Sequence, residues 1–372
     1  MVMRVLFVAW RDLAHPQAGG SEYVVDRLAV GSAAQGHDVA LLSGGPTGQR
    51  PYRVVDTGGT YTQYMRAPIE YLRRFRGWDL VVDVENGIPF FAPVWRRRPV
   101  ICLVHHVHAE QWQLHFPRPV ARMGRLLEEH AMAAVYRRSL FVAVSRSTAI
   151  ALADLGIDED CIRVVEMGCD RPSSVVAPAP EPTFLALGRL VPHKRIDLLL
   201  DLWRRVRPET GGTLIIVGDG PERARLGARA GAGVQFTGPV SASQKSELLG
   251  RAWLLVHPAM HEGWGTAILE AAAAGTPTLG FDVPGVRDSV RPRITGLLAT
   301  TEDEFMRDWI ALARDGAHRA RLAEHARAWA AEHTWSRAVG EFLRIADDAI
   351  HRPAGGQQAS ETTASSPSQV AR

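Results

Sequence analysis

Glu262 and Glu270 stand eight positions apart, either side of the turn Gly263-Trp264-Gly265. A carboxylate can accept two hydroxyls at once, so this pair suits a polyol. The backbone amides of the turn, and of a helix beginning at Thr266, would face phosphate oxygens. Further upstream, Arg189 and Lys194 offer positive charge where a bond to phosphate breaks and negative charge grows on the departing oxygen. Each piece also has a plain structural use: the cations could cap the helix that follows, and Glu270 could complement a helix dipole. Arginine supplies almost all the positive charge, and Lys194 and Lys245 are the only lysines. A compact ammonium kept in such a chain hints at a point-charge role. Lys194 fits that idea, whereas Lys245 lies on an apparently ordinary helix.

These groups need a frame that places them together. Apolar, β-rich runs at Val5 to Ala9, Val39 to Leu42, Leu80 to Val84, Val100 to Val104 and Leu140 to Val144 alternate with helical patterns. A second series runs through Phe184 to Leu187, Leu214 to Val217, Val234 to Phe236, Leu254 to His257 and Thr278 to Gly280. The alternation predicts an α/β fold of two doubly wound Rossmann-like domains. The first would span 1–170 and the second 183–335, joined by the proline-rich linker 171–182. A helix near 336–350 would return to the first domain, and 353–372 reads as a disordered tail. In open parallel sheets ligands bind beyond the carboxyl ends of the strands. Arg189, Lys194 and Glu262 all follow such ends, as does His105. Gly19 and Gly20 follow the first strand, with Ser21 as a candidate cap for a helix from Tyr23 to Ala34.

In order, Gly188-Arg189-Leu190, Lys194, Gly218-Asp219-Gly220-Pro221-Glu222, His261-Glu262-Gly263-Trp264-Gly265 and Glu270 resemble the donor half of the family 4 retaining glycosyltransferases of the GT-B fold. The resemblance extends to about Ala349, with His333-Thr334-Trp335-Ser336 similar to the start of the family's last helix. It implies transfer of a hexosyl group from a UDP- or GDP-linked sugar to a hydroxyl acceptor, with the two domains closing over a central cleft and no metal or other cofactor in the chemistry. It assigns catalytic roles to His105, Arg189, Lys194 and Glu262. Donor contacts would come from Gly19, Gly20, Arg189, Lys194, Val240, Glu262, Gly263, Trp264, Gly265, Thr266 and Glu270. The chain departs from the family at Glu166-Met167-Gly168-Cys169-Asp170, where Pro-Asn-Gly-Val-Asp is commoner, at Trp264, and at Asp288 in a frequent Glu position. A nucleotide-sugar epimerase or a non-catalytic sugar-nucleotide-binding protein would share much of this pattern.

Composition narrows the classes. Hydrophobic residues at 46% and charged residues at 22% are those of an ordinary globular protein. No apolar run is long enough to cross a bilayer. Three cysteines without paired or zinc-like spacing fit a reducing, cytoplasmic setting. A net charge of +3 gives no case for nucleic acid. No G-x-x-x-x-G-K occurs, and no G-x-G-x-x-G follows a strand, which argues against P-loop and nicotinamide enzymes. His105, His106 and His108 invite a metal, but neighbouring histidines in extended chain alternate faces, so no metal is expected there. The stretch from Pro117 to Arg138 puts Val120, Met123, Leu127, Ala131 and Ala134 at helical spacing, with Arg118, Arg122 and Arg125 away from them. That face could dock on its own core or lie on a membrane surface. With Arg73-Arg74-Phe75-Arg76 and Arg96-Arg97-Arg98 it would suit a lipid-linked or phosphorylated acceptor at the inner membrane face. A small natural-product acceptor fits equally.

Overall fold

The computed structural model describes residues 1–59, 61–97, 99–108, 112–172 and 175–352. The expected tail at 353–372 lies outside them, as do Arg98, Gln111 and the linker residues 173 and 174. Two all-parallel sheets form. The first contains β1 (Arg4–Arg11), β2 (Asp38–Gly44), β3 (Arg53–Asp56), β4 (Leu80–Glu85), β5 (Val100–Val104), β6 (Leu140–Ala143) and β7 (Ile162–Val164), in the order β3-β2-β1-β4-β5-β6-β7. The second contains β8 (Thr183–Leu187), β9 (Thr213–Val217), β10 (Val234–Gly238), β11 (Leu254–His257), β12 (Thr278–Phe281) and β13 (Gly296–Ala299), in the order β10-β9-β8-β11-β12-β13.

The central strands are mostly apolar because helices cover both faces of each sheet, with Asp83 and Glu85 of β4 as buried exceptions. Phe7, Val82, Ile101 and Val142 fill one side of the first sheet, and Leu6, Val81, Cys102 and Phe141 the other. In the second, Trp203 and Trp309 pack around Phe184 with ring centroids 5.7 and 5.2 Å away. The edge strands β3, β7 and β13 were not anticipated. They are three or four residues long, and β3 and β7 carry exposed charged positions, so their apolar signal is short and broken.

Strand order reverses between β1 and β4 in one sheet and between β8 and β11 in the other. At such a switch the flanking loops turn to opposite faces and leave a crevice. The loops after β1, β5, β8 and β11 carry the residues singled out above. Thr334 caps the helix Trp335–His351, accepting from the Arg337 amide at 3.2 Å. This helix packs on Gly20–Ala34, with Phe342 stacked on Phe7 at 5.7 Å. Two strands of chain therefore cross between the domains, and they touch: the Cys169 amide donates to the His333 carbonyl at 3.1 Å.

Two local expectations change. The helix after β1 starts at Gly20, and its end is closed by Glu22, whose Oε2 accepts from the Gly19 amide at 2.7 Å; Ser21 lies inside it and is not the cap. The basic stretch is not one regular helix. It runs as Arg118–Leu126, a π-helical turn Leu127–Ala131 and a short helix Met132–Val135.

Candidate active site

β8 delivers the chain to Gly188 and Arg189, and the 3-10 turn Pro192–Lys194 then brings Lys194 back over the end of β11. The Lys194 ammonium donates to Glu262 Oε1, and the same oxygen lies 2.8 Å from His257 Nε2. Burial alone would raise the Glu262 carboxyl, but the Lys194 charge and the His257 and Lys194 hydrogen bonds outweigh it and hold it well below the usual range. Gly188, Arg189, Lys194, His257 and Pro258 line a narrow cavity at this point.

Eight residues on, Glu270 sits in the helix Thr266–Ala274, which ends at the left-handed Gly275. Its Oε1 accepts from Lys245 Nζ at 2.5 Å. Burial raises the Glu270 carboxyl, and Lys245 only partly offsets this. Both lysines of the chain thus end on the two spaced glutamates. The part played by Lys245 was invisible because its helix, Ala242–Arg251, shows no motif. His257 was missed because it reads as the ordinary last residue of a buried strand, and Arg11 because it lies two positions past the apolar run Val5 to Ala9.

The first domain meets this cluster from across the crevice. A Cβ at Gly19 would lie 3.1 Å from Arg189 Nε, so the guanidinium side chain rests on the glycine loop. Arg11 is next to it, buried and paired with Glu22 at 3.2 Å. Desolvation lowers the Arg11 pKa against the pull of Glu22, and Arg189 lowers it further. Glu22 balances the Arg11 charge, which leaves the Arg189 guanidinium beside it to face an anion. His105 follows β5, and its carbonyl accepts from Thr148 Oγ1 at 3.1 Å. A Cβ at Gly263 would stand 2.5 Å from that same carbonyl oxygen, so the Glu262-Gly263 loop is seated directly on His105. Burial drives the His105 imidazole down to about 4, and its Nε2 has no hydrogen-bond partner among the described residues. Beside it, the His106 ring packs in tilted contact with His108 at 4.0 Å and with His261 of the other domain at 5.2 Å.

Residues 171–329 match the family described as glycosyl transferases group 1, and residues 18–171 match glycosyltransferase family 4. The chain belongs to the family 4 glycosyltransferases of the GT-B fold. The GDP-mannose-dependent alpha-mannosyltransferase of Mycobacterium tuberculosis is 33% identical over 168 residues, 45% of this chain and 43% of that protein. The match thus spans less than half of that relative's length. The D-inositol 3-phosphate glycosyltransferase of Jonesia denitrificans is 26% identical across 92% of this chain and 94% of its own. Among solved structures, Anabaena HepE in complex with UDP and glucose shares the fold, with a TM-score of 0.74 at 19% identity, over 93% of this chain and 98% of that one.

The departures from the family pattern acquire physical reasons. Trp264 does not present its indole to the donor side. It is 4% exposed, and Nε1 donates to the Met167 carbonyl at 3.0 Å, pinning the turn to the first crossing segment. The donor contact expected at Trp264 is of the turn's backbone amides, which the indole's burial leaves in place. Gly265 has a left-handed φ of 71°, and Thr266 opens the helix behind it. Asp288 joins the domains: Oδ1 accepts from the Ser147 amide at 3.0 Å and Oδ2 from Gly285 at 3.0 Å. Glu166 accepts from Arg337 at 3.0 Å and lies 3.1 Å from His333 Nε2, tying the two crossings together. Val240 is half-buried just beyond β10, beside Ser241, which caps the Lys245 helix.

Proposed function

We propose that this family 4 glycosyltransferase moves a hexosyl group from a UDP- or GDP-sugar to a hydroxyl acceptor, with the anomeric configuration retained. The observation that carries the reading is the Arg189–Lys194–Glu262 assembly seated against Gly19 and His105 of the opposite domain. Arg189 and Lys194 would hold the diphosphate. The bond between the anomeric carbon and the β-phosphate oxygen breaks, and its electron pair leaves on that oxygen. The acceptor oxygen attaches from the same face, and its proton passes to the departing phosphate. No protein nucleophile is needed. Two fixed cations supply the charge that a metal would otherwise bring, which supports a donor step without one.

His105 is neutral at ordinary pH, and its Nε2, without a hydrogen-bond partner among the described residues, suits a hydroxyl of the transferring sugar. Glu262 would take other hydroxyls of that sugar, and Glu270, steadied by Lys245, those of the ribose. The backbone near Val240 would meet the base, and the amides at Gly263 to Thr266 the phosphates.

For the acceptor, the arginine-rich surface supports an anionic or lipid-linked molecule. Ala121 and Gly124 face inward, while Val120, Met123 and Leu126 are 49%, 56% and 54% exposed beside Arg118, Arg122 and Arg125. The apolar stripe faces outward, where a membrane surface would cover it. Among the described residues no helix is long and apolar enough to cross a membrane. The deciding experiment is thermal shift with UDP, GDP, TDP and ADP, with Mg²⁺ or EDTA, followed by donor turnover on the nucleotide that binds. A shift from UDP or GDP that EDTA leaves unchanged is expected. No shift from any nucleotide, or one abolished by EDTA, would overturn the reading.

A further inference from the structure

Below the histidine loop, on the acceptor side, Glu85, His108 and Glu128 converge from three different elements. Glu85 ends β4, His108 follows β5, and Glu128 comes from the π-helical turn. One ligand atom from each lies within 4.8 Å of the others. Both carboxylates are fully buried. His108 Nδ1 is 3.5 Å from Glu128 Oε1 and 3.8 Å from Glu85 Oε1. Among the described residues no lysine or arginine pairs with either carboxylate.

The surroundings hold the cluster open toward its centre. Glu128 is aimed by two donors, the His108 amide at 2.5 Å and Trp112 Nε1 at 2.8 Å. Trp112 in turn lies on Gly124, where a Cβ would come within 2.5 Å of its ring. The π-helical turn shifts the helix register at this point, and such turns often mark functional sites. Glu85 Oε1 accepts from the Gly87 amide, but Glu85 Oε2 is fully buried with no hydrogen-bond partner among the described residues, and so is His108 Nδ1. Two buried carboxylates facing one imidazole nitrogen, with no fixed cation, is a costly arrangement unless something positive sits between them.

We propose that Glu85, His108 and Glu128 bind a divalent first-row transition metal ion. One imidazole with two carboxylates suits Zn²⁺ or Mn²⁺ better than the all-oxygen preference of Mg²⁺ or Ca²⁺. Metal bonds of about 2.0–2.2 Å bring ligand atoms to within about 3–3.5 Å of one another, so the side chains close by about 1 Å. The ion would clamp the loop that carries His105 and His106 to the end of β4. Three protein ligands leave positions for water or an acceptor oxygen. The site is separate from Arg189 and Lys194, and the proposal stands whether or not the transferase reading does.

The test uses the full chain, stripped with EDTA and desalted, titrated with Zn²⁺ by calorimetry and with Co²⁺ by visible absorption. One equivalent of Zn²⁺ is expected, with a raised melting temperature. Glu85→Gln and His108→Ala should each weaken Zn²⁺ binding by at least about tenfold. His108 is partly exposed, so its variant keeps the fold, which the melting of the metal-free form verifies. The nucleotide-induced thermal shift should be the same in wild type and His108→Ala. A wild-type chain that takes up no stoichiometric Zn²⁺ would overturn the proposal, as would His108→Ala binding like wild type.

Discussion

At the scale of single residues, both lysines do what arginine would do poorly: each places a compact charge on one carboxylate oxygen in a confined space. Lys194→Met should lower kcat by on the order of 10²-fold, the usual loss for one donor at a developing oxyanion, measured by donor turnover at saturation. It also strands the Glu262 charge, so the melting temperature should fall with it. Lys245→Met should instead raise the nucleotide Kd several-fold and change kcat little, which calorimetric titration would separate. Equal effects of the two variants on kcat would remove this division of labour. The imidazole of His105 makes a pH prediction. Its pKa is near 6.5 in the unfolded chain and about 4 in the fold. The unfolded state therefore takes the proton first, and stability is lost as pH falls from about 6.5 toward 4, by about 3 kcal/mol at most. Asp83, raised to about 6 by burial, acts in the opposite sense over part of this range. Melting curves of wild type and His105→Asn across pH 4–7 isolate the histidine, and the variant should show the shallower acid loss.

At the scale of elements, glycines mark where backbone meets backbone. Gly168 touches the second crossing so closely that a Cβ would lie 2.4 Å from the Trp335 amide nitrogen. Gly168→Ala should lower the melting temperature by several degrees. Gly263→Ala meets the His105 carbonyl from the opposite domain and should push the loops apart. Its kcat should fall at least about tenfold through lost positioning, with the melting temperature changed less than for Gly168→Ala. A Gly263→Ala enzyme with full turnover would mean that the seated loop is not needed for chemistry. The helix Arg118–Leu126 shows how periodicity can mislead. Its apolar spacing is real, but the buried positions are Ala121 and Gly124, the latter lying against the flat Trp112 ring where a side chain would clash. Sequence spacing identifies a stripe without saying whether core or solvent lies against it.

At the scale of the whole molecule, the outward stripe predicts binding to anionic vesicles that weakens with salt. Co-sedimentation of wild type and Met123→Asp should show retention of the first only; equal behaviour would argue for a soluble acceptor. Much of the architecture was legible without coordinates. Buried parallel strands such as Val100–Val104 are continuous apolar runs, and the ordered set from Arg189 to Glu270 identifies the family, because both signals are local in the chain. The edge strands were not legible, being too short to carry a pattern. Other properties depend on which loops the strand reversals bring together. Lys245 reaches Glu270 from another helix, Trp264 turns to Met167, and Glu128 faces Glu85 from 43 positions away. Sequence by itself determined which elements form and which residues could carry charge to a phosphate. Only the tertiary structure decided what each charge is paired with, because pairing is set by distances between elements far apart in the chain.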